Sequence, residues 1–202
     1  SGHFEEMVGL VEKLVQKGYA YEKLRSVYFD ISKLSDYGSL SNVDLRNVDL
    51  DRTVDQDDYE KDSPRDFTLL KRSTLSELKK GIYFKTRWGN VRPSWHLECA
   101  ATAMKYLGET FDIHASGADV IFPHCENVMA IGRGTTGKRP ANYWLHTELV
   151  LTEGTKMSRS VGNAVTLEEL EQRGYRDREI RFFLMGSHYR KPLRFSLGAL
   201  ET

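Results

Sequence analysis

Five consecutive residues, Lys156-Met157-Ser158-Arg159-Ser160, bring two cations and two hydroxyls into one short segment. A strand is predicted before it and a helix after it, so the segment reads as a loop at a strand-to-helix junction. Fixed cations on such a loop can steady negative charge as it develops on a bound group, which is an electrostatic role. A carboxylate occupies a second promising place. Asp119 follows Gly117 where a predicted strand ends in a glycine-containing turn, and open α/β sheets bind ligands at such strand ends.

These side chains need a scaffold, and the residue pattern supplies one. Apolar residues at Phe4, Met7, Val8, Val11, Leu14 and Val15 have helical spacing, with Gly18 as the stop. The β-branched and aromatic run 27–31 predicts a strand. Residues 32–65 lose the pattern, and 51–62 hold six acids; that stretch reads as a solvated irregular segment or an acidic binding tail. A strand over 66–71 and a short helix over 74–80 follow. Ser94 is placed to cap a helix over 95–107 that Gly108 ends. Further on, the pattern predicts a strand at 111–113, a helix over 122–131, a loop over 132–140 and a long strand over 143–151. Thr166 and Glu169 match a capping box, and a last helix covers 177–187. The alternation over 94–165 predicts a parallel sheet with crossovers, and the chain as a whole an α/β fold.

Bulk properties narrow the class. The 29 basic residues balance 29 acidic ones, so only local patches could favour an anionic partner. No apolar run reaches membrane-spanning length, and no signal-peptide pattern is present. Two cysteines are too few for a disulfide framework, so a cytoplasmic location is expected.

Several blocks in order carry a resemblance: Trp95-His96-Leu97-Glu98-Cys99, then 112–119 with His114, Gly117 and Asp119, then Phe122-Pro123-His124, then Tyr143-Trp144-Leu145-His146, then 156–163. The order and spacing resemble cysteinyl-tRNA synthetases, a family of class I aminoacyl-tRNA synthetases. The likeness extends back to 17–21 and forward to 187–190. In that family the blocks read Trp-His-x-Glu-Cys, Asp-Ile-His-x-x-Gly-x-Asp, Phe-Pro-His-His-Glu-Asn-Glu, Tyr-Trp-x-His and Lys-Met-Ser-Lys-Ser-x-Gly-Asn.

The resemblance implies a ligase that uses ATP as a substrate to activate cysteine as cysteinyl-adenylate and then transfers it to tRNA. It gives Lys156 and Arg159 the catalytic role of neutralising the triphosphate, with Met157, Ser158 and Ser160 completing the ATP-binding loop. Arg159 replaces a lysine, keeping the charge but changing a compact donor into a planar fork. Asp119 would hold ribose hydroxyls and Gly117 would admit the nucleotide. Gly162 and Asn163 would form a flexible exit that lets the loop close. Trp95 and His114 would line the amino-acid pocket. Zn²⁺ would select the cysteine thiolate through two Cys, a His and a Glu; Cys99 and His124 match two of these, but Val128 stands at the glutamate position. Two donors fall short of a zinc site.

The resemblance also implies an organisation. Residues 1–92 would be a connective-peptide-like α+β insertion lobe. Residues 93–165 would be the second half of a Rossmann-like nucleotide-binding fold ending in the signature loop, and 166–202 a helical segment. No His-x-Gly-His pair occurs, so the chain is expected to lack the first half of the fold and the anticodon-binding region, and to be inactive alone. An exposed sheet edge would then permit self-association. The alternative is a non-catalytic paralogue serving as a nucleotide- or RNA-binding module. The basic residues Arg173, Arg176, Arg178, Arg181, Arg190, Lys191 and Arg194 would suit an RNA backbone or a solvated helix face.

Overall fold

A computed structural model describes residues 2–45 and 61–200; most of the acidic 51–62 stretch lies outside them. The chain divides into two compact units, one formed by residues 1–114 and 120–144, the other by 115–119 and 145–202.

The first unit opens with helix α1 (Phe4–Gln16), which buries Met7, Leu10, Val11 and Leu14. Gly18 takes φ +76°, and Tyr19 N–H closes the end on Leu14 C=O at 2.9 Å. Strands β1 (Ala20–Lys23) and β2 (Ser26–Phe29) form a hairpin, joined by Leu24 and Arg25 at φ 49° and 68°. Strand β3 (Phe67–Arg72) and helix α2 (Leu75–Lys79) follow, the helix started by a Thr74–Glu77 capping box. Strands β4 (Phe84–Thr86) and β5 (Gly89–Pro93) complete a five-stranded antiparallel sheet in the order β1-β2-β3-β5-β4.

Helix α3 (Trp95–Leu107) begins at Ser94, whose Oγ accepts from Leu97 N–H, and ends at Gly108 with φ +91°. Strand β6 (Phe111–Gly117) leads to an irregular turn over Ile121–Cys125, where Phe122 is extended. Helix α4 therefore runs over Glu126–Thr136. This corrects the expected helix 122–131 and loop 132–140. Gly132 and Gly134 do not end the helix but let it pack closely: a Cβ on Gly134 would lie 2.7 Å from Leu14 Cδ2, and one on Gly132 2.8 Å from Pro140 Cβ. The core of this unit joins α1, the sheet, α3 and α4 through Leu14, Phe29, Leu69, Leu97, Val128 and Ile131.

The expected strand 143–151 is two strands, β7 (Ala141–Thr147) and β8 (Val150–Thr152). β7 pairs with β6. In the second unit, β8 turns through Glu153-Gly154 into β9 (Thr155–Lys156) as an antiparallel hairpin. Helices α5 (Leu167–Gln172) and α6 (Asp177–Met185) follow, α5 started by the Thr166–Glu169 capping box. Strand β10 (Leu193–Phe195) returns parallel to β8, and α7 (Leu197–Leu200) ends the described chain. Leu170, Ile180 and Leu200 form the small core here. The fold is mixed α/β, as the alternating pattern implied.

Candidate functional site

Two groups of candidate residues result, one in each unit. In the second unit the loop's backbone starts from the β8–β9 hairpin, which is extended by Met157 N–H donating to Val150 C=O at 2.8 Å. Lys156 Nζ is ion-paired with the Asp119 carboxylate, and both side chains are partly exposed. Gly117 stands beside this pair. An added Cβ there would collide with Asp119 Oδ1, so the missing side chain makes room for the carboxylate of Asp119 itself.

The apex of the loop is compact. Ser158 and Ser160 hydroxyls lie 3.1 Å apart, and Ser158 Oγ accepts from Val161 N–H. Ser158 N–H donates to Asn163 Oδ1 at 2.9 Å, and Asn163 Nδ2 donates to Lys156 C=O at 3.1 Å. Arg159 is exposed, and its charge helps hold the Glu168 carboxyl below its ordinary range, behind hydrogen bonds at the helix start. Nearby in the chain, His146 Nδ1 meets Ser116 Oγ at 2.9 Å, and burial lowers this imidazole's pKa.

In the first unit, Trp95 stacks on His124 with ring centroids 3.8 Å apart and planes at 16°, yet remains 51% exposed. His114 packs against Trp144 at 4.4 Å. His96, absent from the sequence candidates, meets His124 through an Nδ1–Nδ1 hydrogen bond of 2.9 Å. Burial pushes the His96 pKa down to about 3 and that of His124 to about 4, with a neighbouring imidazole adding to each. Two neutral rings are what a ring-nitrogen-to-ring-nitrogen hydrogen bond requires, one donating and one accepting. The signal for His96 was its place beside Trp95 in the same block.

The donors of this chain do not fit a zinc ion. Val128 is 1% exposed and belongs to the apolar core. Glu126 is fully buried, with both carboxylate oxygens engaged by Gly38 N–H, Ser41 N–H and Ser41 Oγ–H at 2.9–3.0 Å. Burial and the charge of Glu98 raise the pKa of the Cys99 thiol. Cys125 is buried. Among the described residues, no group of three or more His, Cys, Asp or Glu side chains is gathered to hold a metal.

A groove of about 1230 Å³ in the second unit is lined by Arg173, Arg178 and Arg194 together with Tyr175 and Phe182. Arg176 is paired with Glu179 instead. No helix among the described residues is long and apolar enough to cross a membrane.

Comparison with known proteins gives this geometry a family. A cysteine–tRNA ligase of Methanosarcina acetivorans is 47% identical over 196 residues, covering 97% of this chain and 41% of that protein. One from Pyrococcus horikoshii is 44% identical over 199 residues, covering 98% and 40%. The chain therefore spans about 40% of the length of these curated relatives. A solved structure assigned as an arginyl tRNA synthetase from Campylobacter jejuni superposes with a TM-score of 0.54 at 12% identity, covering 100% of this chain and 35% of that one, a likeness of fold alone. The family model for the class I (C) tRNA synthetase catalytic domain matches residues 1–202. The chain belongs to that family, as its resemblance to cysteinyl-tRNA synthetases implied.

Proposed function

We propose that this chain supplies the loop-bearing part of a cysteine–tRNA ligase active site. In the reaction, the cysteine carboxylate attacks the α-phosphorus of ATP, cysteinyl-adenylate forms and pyrophosphate leaves. A terminal ribose hydroxyl of tRNA then takes the cysteinyl group and releases AMP. The observation that carries this reading is the meeting of Lys156 and Asp119 in one unit, with Arg159 exposed at the loop apex. Asp119 is the ribose acceptor. Lys156 and Arg159 neutralise the triphosphate as charge builds toward pyrophosphate. Met157, Ser158 and Ser160 shape the backbone that presents them.

Trp95 and His114 are assigned to the amino-acid pocket, where Trp95 offers an exposed aromatic face beside His124. No step is routed through zinc, since the donors present do not fit it. The arginine-lined groove suits the tRNA backbone. Two cysteines are too few for a disulfide framework, which suits a cytoplasmic setting. The relatives described above are ligases by name, so a non-catalytic module is not carried forward. Self-association and the three-part division at residues 92 and 165 remain proposals of the same kind.

The test is cysteine-dependent ATP–pyrophosphate exchange by the full-length ligase carrying these residues. Lys156→Ala should slow it roughly 10²–10³-fold, the range for losing one preorganised charge-stabilising donor. The isolated chain should be silent. Undiminished exchange by the Lys156 variant would end the assignment.

A further inference from the structure

We propose that Asn163 is the positioning residue of the signature loop, acting on catalysis through Lys156. The inference rests on the reading that this loop binds ATP's triphosphate. The sequence suggested a flexible exit at Gly162-Asn163, but the side chain of Asn163 is a clamp. Its Oδ1 accepts from Ser158 N–H at 2.9 Å and its Nδ2 donates to Lys156 C=O at 3.1 Å. Both ends of the amide are thus spent on the two residues that flank Met157. From the other side, Met157 N–H is held by Val150 C=O at 2.8 Å. Residues 156–158 are therefore pinned between a strand and a side chain.

The rest of the loop serves to deliver that side chain. Gly162 N–H reaches both Ser158 C=O and Arg159 C=O at 3.2 Å, closing a turn. Gly162 then takes φ +80°, a conformation that suits a residue without Cβ, and the chain comes back to place Asn163 beside the loop's first residues. The amide carries a donor and an acceptor on one planar end. Aspartate would keep the acceptor and lose the donor; alanine would lose both.

With its backbone pinned, Lys156 keeps freedom only along its own side chain. The ammonium, partly exposed beside Asp119, can exchange that carboxylate for a polyphosphate. A preorganised charge of this kind avoids reorganisation at the moment of reaction, and an ångström of misplacement costs roughly 10²-fold in rate.

The experiment is a mutant cycle on Lys156 and Asn163 in the full-length ligase, read by ATP–pyrophosphate exchange. Asn163→Ala should lower kcat roughly 10²-fold, leaving KM for cysteine and the thermal midpoint unchanged. Asn163→Asp should fall between it and wild type, which keeps the test usable if the alanine variant folds poorly. The decisive comparison is the double variant K156A/N163A, expected to be no slower than K156A alone. Multiplying losses in the double variant, or an unchanged kcat in both Asn163 variants, would overturn the role. If Lys156→Ala alone costs nothing, the loop reading itself fails, and Asn163 loses its role with it.

Discussion

The Lys156 ammonium is ion-paired with the carboxylate of Asp119, the residue assigned to ribose. With side-chain exposures of 48% and 29%, the pair sits near solvent, where such contacts are worth about 0–1 kcal/mol. It is weak enough to be exchanged. On the proposed function, ribose hydroxyls and Lys156 compete for one carboxylate, and ATP's phosphates offer the displaced lysine a new partner. Lys156→Met should therefore leave adenosine binding as tight as wild type or several-fold tighter, and weaken ATP binding. Calorimetric titration of both ligands measures this. Equal weakening of adenosine and ATP would show that the lysine is not a competitor for the ribose site.

The sequence made the two members of this pair legible separately, and their pairing not at all. Each lies in a recognisable block, but the contact spans 37 residues and depends on how the β8–β9 hairpin is placed. Helix starts were legible where the chemistry is local, as at Ser94 and Thr166. The β1–β2 hairpin was missed because its turn is Leu24-Arg25, with none of the glycine or asparagine that usually marks such a turn. The end of α4 was misplaced because Gly132 and Gly134 look like stops, and only packing reveals them as contact points. Glu126 was passed over, and Asn163 was read only as part of a flexible exit, for a related reason. Their partners, Ser41 and Lys156, are identified by tertiary structure and not by spacing.

Glu126 fastens α4 to the segment around residues 36–41. Its carboxylate accepts from Gly38 N–H, Ser41 N–H and Ser41 Oγ–H; alongside, Tyr37 donates to Asn127 and Arg133 pairs with Asp36. Hydrogen bonds to a charged group contribute about 1.5–3 kcal/mol each, and donors left buried without a partner add a further cost. Glu126→Ala should lose about 3 kcal/mol or more in urea unfolding, with Glu126→Gln in between. A loss below about 1 kcal/mol in the alanine variant would mean that water replaces the carboxylate without penalty.

Gly134 is a test of packing. A Cβ there would meet Leu14 Cδ2 at 2.7 Å, with Phe29 and Tyr19 at 3.2 and 3.3 Å. Helix propensity alone makes Gly→Ala stabilising by up to about 1 kcal/mol. Overpacking costs about 1–3 kcal/mol, and all three neighbours belong to or pack against the main core. Gly134→Ala should therefore lower stability despite its better propensity. A raised thermal midpoint would show that α1 and α4 can shift apart freely.

The Leu24-Arg25 turn should respond the other way. Both residues hold positive φ, 49° and 68°, where side chains crowd the backbone, at a cost of order 1 kcal/mol each or more. Replacement by Asn-Gly suits a two-residue hairpin turn. The change removes the Arg25 side chain, which lies where a Cβ on Gly89 would come within 3.7 Å of its Cδ, whereas the Arg72 hydrogen bond to the Leu24 carbonyl can remain. The double variant L24N/R25G should gain about 1 kcal/mol, read as a higher urea midpoint with an unchanged slope. An unchanged or lower midpoint would assign more weight to the lost side chains than to the backbone.

Asp66 gives stability a pH dependence whose sign can be worked out. The residue is 2% exposed and accepts hydrogen bonds from Tyr21 Oη–H at 2.7 Å and Ile31 N–H at 3.2 Å. Burial is the leading influence and raises its pKa above the ordinary 3.8, while those two hydrogen bonds pull the other way. A carboxyl raised on folding holds its proton longer in the native state than in the unfolded chain. Between the two values the native state binds more protons, so this group's contribution falls as pH rises through that window. Asp66→Asn keeps an acceptor for one partner and removes the titration. The stability of wild type relative to D66N should therefore decline from about pH 3 upward and level off once the native carboxyl has ionised. Thermal midpoints of both proteins across that range measure the difference. A difference that grows in favour of wild type with rising pH would mean that the hydrogen bonds from Tyr21 and Ile31 outweigh burial.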